Sequence, residues 1–266
     1  MTKTLVIYCS HLLNDSVKFF IKNGLFQSDQ VDFHLCFNND KIDVKDLLPK
    51  YTNIHITYRE NYAGDFGAFS QILLDQDLYK NYDYFVLINA SCMGPFVPLY
   101  IKDKWVDLVI AAIDDKTKLI GASINDCFGN AHVQTYFMAT DKIGMGIGIK
   151  HQIFSNELAH RAPGKELVNM WGWLVHHCEI RYSRAIIQEG YNIGCFMKGI
   201  EGEDYTKIKT PFVERSFGTT NNDQIYNGSY FGTTVHPYEV MFFKSNRGIT
   251  PAILNAHMNF HNEISN

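Results

Sequence analysis

The chain reads as a single α/β domain, and three observations carry that reading. Runs of β-branched and aromatic residues alternate with segments of helical period through the first half. One run, Tyr84-Phe85-Val86-Leu87-Ile88, is apolar at every position, as a central strand buried on both faces requires. The 266 residues, 46% of them hydrophobic, supply a sizeable core, and no shift in composition marks a second unit.

Strands are expected at Leu5 to Tyr8, Val31 to Phe37 and Ile54 to Tyr58. Between the first two, Asn14 to Gly24 has helical spacing. Val17, Phe20 and Ile21 share a face, Asp15 sits near the start and Gly24 ends the helix. A second helix is expected from Gly67 to Leu78, with Phe69, Ile72 and Leu73 inward. Beyond the Tyr84 to Ile88 strand come a short helix at Trp105 to Ile113, strands at Leu119 to Ser123 and Val133 to Met138, and a helical stretch from Lys165 to Gln188. Thr206 to Ser229 is polar and aperiodic, and is read as a mobile loop. The domain is placed at 1–250, with a C-terminal tail or helix at 251–266.

Composition and motifs exclude several classes. A net charge of −4 with no basic run argues against nucleic acid as the main partner. No window approaches 18 apolar residues, so no transmembrane segment is expected, and Met1 to Tyr8 does not read as a signal peptide. The expected location is therefore the cytoplasm. Six dispersed cysteines without a C-x-x-C pair read as reduced thiols. His176-His177-Cys178 lacks a second cluster at zinc spacing, and His257 with His261 lacks the Glu of an H-E-x-x-H motif and reads as a solvent-facing tail. There is no G-x-S-x-G elbow and no phosphate-loop G-K-S/T.

The chemistry concentrates between residues 59 and 98. Arg59-Glu60-Asn61-Tyr62-Ala63-Gly64-Asp65-Phe66-Gly67 leads from a strand into a helix, whose free N–H groups suit a phosphate or a sugar hydroxyl. Asp65 stands at the favourable end of that helix dipole. The next strand ends in Asn89-Ala90-Ser91, followed by Gly94-Pro95. Polar residues at the carboxyl ends of buried strands are where open α/β sheets bind ligands. Taken singly, Asp65 reads equally well as a cap, and Asn89 and Ser91 as a turn.

The pattern E-N-x-x-G-D-x-G-A followed by Y-D-Y-F-x-x-x-N-x-S-x-x-G-P-F-x-P resembles nucleotide-sugar-dependent glycosyltransferases of the GT-A fold. It is most similar to the rhamnan-synthesis-like group and to the transferases with which large DNA viruses build capsid glycans. His132 to Asp141, Glu179 to Ile193 and His236 to Arg247 extend the resemblance to about residue 250. It implies a Rossmann-like domain with a mixed central sheet. The implied activity is transfer of a sugar from a nucleoside diphosphate donor, a UDP-sugar foremost and a pentose or deoxysugar by the family neighbours, to a glycan hydroxyl. For a viral protein the location becomes the host cytoplasm.

By the same resemblance, Tyr8 and Ser10 would hold the nucleotide base. Asn61, Gly64, Asn89, Ser91 and Gly94 would line the donor, and Arg59 would meet its diphosphate. The strand that ends at Asn89 normally carries an Asp-x-Asp for Mn2+ or Mg2+, and here it carries Asn89-Ala90-Ser91. Hard cations want carboxylate oxygens. The metal set implied is thus Asn89, Ser91 and His236, with loose binding, binding elsewhere, or replacement by basic residues left open. Lys244 and Arg247 would neutralise the leaving diphosphate, whereas Arg161 and Lys165, flanking Pro163-Gly164, read as surface charges. An inverting transfer needs a general base, and Asp65 and Glu179 are the candidates. Ser183 lies four residues beyond Glu179 on the same helix face. The alternative is a non-catalytic sugar-binding module, or a degenerate transferase acting as an assembly partner.

Overall fold

The computed structural model describes residues 2–127, 129–161, 167–208 and 223–264. The expected loop at Thr206 to Ser229 and the start of the Lys165 to Gln188 helix fall largely outside them.

Three of the expected strands appear at β1 (Thr4–Ser10), β2 (Val31–Phe37) and β3 (Ile54–Tyr58), with α1 (Asp15–Gly24) between the first two. The α1 cap is Asn14, whose side chain accepts the Val17 amide. Helix α2 (Gly64–Leu74) starts earlier and ends earlier than its apolar spacing suggests. It gives way to tighter turns over Asp75–Asn81, where Gln76 and Asp77 adopt positive φ. Strand β4 (Tyr84–Asn89) is the apolar run and is followed by the two-residue β5 (Cys92–Met93).

Helix α3 (Trp105–Ala111) leads to β6 (Thr117–Gly121), then to a hairpin of β7 (Ile124–Cys127) and β8 (Asn130–Val133). Next come β9 (Phe137–Asp141) and α4 (Lys142–Lys150). The single strand expected at Val133 to Met138 is thus two strands with a break at Gln134 to Tyr136. Gln134 and Thr135 turn their polar side chains into a buried network there, and the chain cannot stay extended through it. After α5 (Leu158–Arg161) and α6 (Leu167–Leu174), a π-helical turn at Val175–Ile180 joins α7 (Arg181–Gln188). Strand β10 (Asn192–Cys195), α8 (Pro237–Val240), β11 (Phe243–Lys244) and α9 (Pro251–Ile264) complete the chain.

Seven strands form one mixed sheet in the order β10-β6-β9-β4-β1-β2-β3. All of its neighbours run parallel except those of β9, which is antiparallel to β4 and to β6. One face is packed by an aromatic group of Phe20, Trp105, Phe137 and Phe242, in which Phe137 stacks on Phe242 at 4.3 Å. Another group joins Phe66, Phe69, Phe154 and Tyr182 from α2, α7 and the segment after α4. The short β11 pairs with β5, which carries the end of the chain back to the carboxyl end of β4. Helix α9 is not a solvent-facing tail along its whole length. His261 is buried against Phe19 and Phe96, so an imidazole serves there as core. Among the described residues, no helix is long and apolar enough to cross a membrane.

Candidate active site

The turn that leads into α2 is held in an unusual backbone path. Ala63 and Gly64 both have φ of 53°, the left-handed region, one after the other. Glycine takes that conformation freely, whereas alanine pays about 1–2 kcal/mol. A Cβ on Gly67 would stand 2.1 Å from the Tyr62 carbonyl oxygen, so no larger residue fits where α2 closes under the turn.

Arg59 holds the turn from below. It donates to Gln71 at 2.8 Å, to the Asn38 side-chain oxygen at 2.6 Å and to the Tyr62 carbonyl at 2.9 Å. Asn38, at the end of β2, donates in turn to the Gly64 carbonyl at 3.0 Å and to Asn61 at 3.2 Å. Arg59 therefore clamps the turn. The left-handed turn leaves carbonyls that need donors, and Arg59 supplies them.

Asp65 emerges from this turn half-buried, with one oxygen accepting the Asn89 amide at 2.7 Å and the other the Phe66 N–H at 3.0 Å. Burial pushes its carboxyl above the ordinary value. The Asn89 bond opposes that rise, and the charge of Glu179 adds to it. Asn89 uses its own oxygen on the Ser91 N–H and hydroxyl. The two polar clusters that the sequence separates, at 61–65 and 89–91, thus meet at the carboxyl ends of β3 and β4.

Glu179 comes from the π-helical turn, the kind of widened turn that often accompanies functional sites. Its carboxylate accepts the Thr135 N–H at 3.0 Å and the Thr135 hydroxyl at 2.5 Å, and it faces His132 at 3.4 Å. Burial alone would raise this acid. The hydrogen bond and charge of His132, then the charge of Lys244 and the Thr135 hydroxyl, outweigh burial and hold Glu179 at about 2. His132 moves the opposite way. Burial lowers it, but Glu179 more than compensates and raises it above the usual histidine value.

Lys244 lies on β11, opposite Cys92, with its ammonium 4.9 Å from the centre of the Tyr136 ring. Among the described residues it forms no hydrogen bond and no ion pair. Burial and the repulsion of Arg247 lower its proton affinity, while Glu179 and Asp223 support it. Arg247 pairs with Asp223 at 2.8 Å and covers the Tyr226 ring. Asp223 also accepts from Gln134, which is bonded to Ser123 and through it to Tyr136. Two separate polar networks result, one of Arg59, Asn38 and the turn before α2 and one of Arg247, Asp223, Gln134, Ser123 and Tyr136.

Several expected residues stand elsewhere. Tyr8 is 2% exposed and stacks on Phe20, so its ring belongs to the core and is closed to a nucleotide base. The Ser10 hydroxyl is spent on the Leu12 backbone. Both placements follow from β1 being buried on its two faces through its full length. Gly94 is a packing position, since a Cβ there would meet the Met241 carbonyl oxygen at 2.6 Å. His236 caps α8 and packs against Tyr238 and His257. Asn89 has no oxygen lone pair to spare beyond its Ser91 bonds, and among the described residues no three His, Cys, Asp or Glu side chains group as an ion requires. His132, Thr135, Asn38 and Asp223 were not singled out from sequence. Their one signal is the spacing of buried polar residues in His132 to Thr135, which a strand of the sheet core would not carry.

A cavity of about 740 Å3 also lies along the edge strand β10, but Asp114, Asp115, Glu201, Glu203 and Asp204 line it. Five carboxylates repel an anionic ligand, so the carboxyl end of the sheet is the better candidate.

No family model and no curated protein matches this chain. Among solved structures, it is similar to a glycosyltransferase involved in the glycosylation of the major capsid of PBCV-1. The identity is 14% and the TM-score 0.37, over 71% of this chain and 80% of that one. It is also similar to the glycosyltransferase GlyE of Streptococcus pneumoniae TIGR4, at 11% identity and a TM-score of 0.38, over 76% of this chain and 47% of that one. Overlaps of this size define no family, and the site itself has to carry any functional reading.

Proposed function

We propose that this cleft transfers a sugar from a nucleoside diphosphate donor to a hydroxyl of a glycan, with inversion and with Asp65 as the general base. One observation carries the reading: two carboxylates with opposed proton affinities share the carboxyl end of the sheet with an ammonium that has no ion-pair partner among the described residues. Asp65, raised by burial and by Glu179, has the higher proton affinity that a base working near neutral pH needs. Glu179, held at about 2, stays ionised and is the poorer base.

In this reaction Asp65 takes the acceptor hydroxyl proton as that oxygen attacks the anomeric carbon, and the bond to the diphosphate breaks. The developing negative charge on the leaving group falls to Lys244, with Arg247 behind it, since two phosphates need compensating charge. Trp171, 67% exposed on α6, offers an open ring face for the acceptor sugar. Its helix lies against the turn through Leu174, which reaches Gly64. The resemblance favours UDP as the nucleotide and a pentose or deoxysugar as the group moved.

The second reading, a sugar-binding module without turnover, is favoured by the replacement of Asp-x-Asp with Asn89-Ala90-Ser91. A panel of NDP-sugars separates the two. A donor at about 100 times its dissociation constant stabilises the fold by roughly 2.7 kcal/mol and is slowly hydrolysed if the cleft is a transferase. Stabilisation without hydrolysis supports the binding module, and neither effect with any donor removes both readings. Turnover that survives EDTA and gains nothing from manganese is the expected outcome if Lys244 carries the leaving-group charge.

A further inference from the structure

We propose that His132 is a positioning residue: it keeps Glu179 from pairing with Lys244 and so leaves the Lys244 ammonium available to an anionic ligand. This inference rests on the donor-site reading above and concerns how that site keeps its cation.

The geometry begins with His132, which is 2% exposed. Its Nδ1 lies 2.9 Å from the Asn130 carbonyl oxygen, an atom that can only accept, so Nδ1 carries a hydrogen. Its Nε2 faces the Glu179 carboxylate at 3.4 Å. The other Glu179 oxygen already accepts two hydrogens from Thr135. A carboxylate so supplied with donors is ionised, and Nε2 must then be protonated as well. The ring is a buried imidazolium.

The charged groups around this pair come from several elements. Asp126 on β7 supports the imidazolium, Lys244 on β11 attracts Glu179, and Asp65 on α2 repels it. Lys244 and Glu179 are thus close enough to interact, yet no ion pair forms between them. Three donors already engage the carboxylate: the Thr135 N–H, the Thr135 hydroxyl and His132. A salt bridge to Lys244 would satisfy both charges and close the site to an anion. His132 is the one charged member of the restraint, so its loss should release Glu179 toward Lys244.

The test is a double-variant cycle on the intact protein. Binding is read by calorimetry with UDP, and with inorganic pyrophosphate as a probe that needs no base pocket. His132→Gln should weaken binding at least tenfold, because Gln keeps a donor but lacks the charge. In the double variant His132→Gln/Glu179→Gln, binding should return to within about threefold of Glu179→Gln alone, since a neutral amide cannot quench Lys244. A purely structural role for His132 predicts the reverse, a double variant at least as impaired as His132→Gln, and that result overturns the proposal. Nitrogen NMR of the His132 ring gives an arm independent of ligand and of variant folding. Both ring nitrogens should be protonated at pH 7.5 in the wild type, and a neutral ring there also overturns the proposal. If the ring is charged but the wild type binds neither UDP nor pyrophosphate, the donor-site reading fails, and the proposal with it. If donor is bound and turned over with a neutral ring, the donor-site reading stands and only the His132 role falls.

Discussion

The two ends of the central sheet treat buried charge in opposite ways. At the amino end, Lys118 on β6 and Asp141 at the end of β9 form an ion pair of 2.8 Å, with side chains only 6% and 13% exposed. Both groups make further hydrogen bonds there. Lys118 also donates to the Asp114 carbonyl, and Asp141 caps α4 by accepting the Ile143 and Gly144 amides. At the carboxyl end, Asp65 and Glu179 repel each other, Lys244 has no ion-pair partner among the described residues, and the turn before α2 holds two successive left-handed residues. A satisfied pair such as the first maintains a fold. The second arrangement costs stability that nothing within the described residues returns, which is what a site awaiting a charged ligand looks like.

Variants at the two ends should therefore separate activity from stability. The largest effect is expected at Asp65. Asp65→Asn should lower turnover of any accepted donor by about 10²–10⁴-fold, while melting changes little because a repelled, buried carboxylate is relieved. Near-normal turnover would remove Asp65 as the base. At the other end, Asp141→Ala strands a buried Lys118 and should cost about 3–5 kcal/mol, or roughly 10 °C in melting temperature for a chain of this length. Turnover measured well below the melting transition should stay close to wild type. If Asp141→Ala instead abolished activity in a folded protein, the contrast between the ends would fail.

A smaller effect is expected at Lys244. Lys244→Met should weaken UDP binding by roughly 10–100-fold, the worth of one charge-assisted contact, without loss of melting temperature. The smallest effect is a pH dependence. Glu179 is lowered, so its stabilisation is complete above its ordinary value of 4.5 and is lost as pH falls through about 2. His132 is raised, so its share is complete below its ordinary value of 6.5 and is lost as pH rises through the higher folded value. The gap in melting temperature between wild type and Glu179→Gln should be widest from about pH 4.5 to 6.5 and narrow on both sides. A gap that does not vary with pH would mean that the pair does not titrate as a unit.

Parts of this picture were legible before any coordinates. Strands β2 and β3 fall where their apolar runs place them, and β4 is one residue longer than its run. Asp65 and Asn89 were singled out from turn chemistry and do form a hydrogen bond. Other expectations failed for identifiable reasons. The start of β6 was missed because Lys118, a charged residue, is buried by its pairing with Asp141. Tyr8 and Ser10 lie within β1, which runs two residues past the expected strand and is buried on both faces.

What the sequence determined by itself is what depends on near neighbours. Apolar runs make strands, the Asn14 and Asp141 caps start helices, and Gly64 and Gly67 permit a turn that larger side chains forbid. The tertiary structure alone decided which charges interact. Glu179 lies far along the chain from Asp65, and His132, Lys244 and Asp223 reach the same cleft from three further segments. The proton affinity of each depends on burial and on distances of a few ångströms to the others, because Coulomb energies grow as separation shrinks and as water is excluded. Those distances are set by packing across the sheet and have no counterpart in residue order.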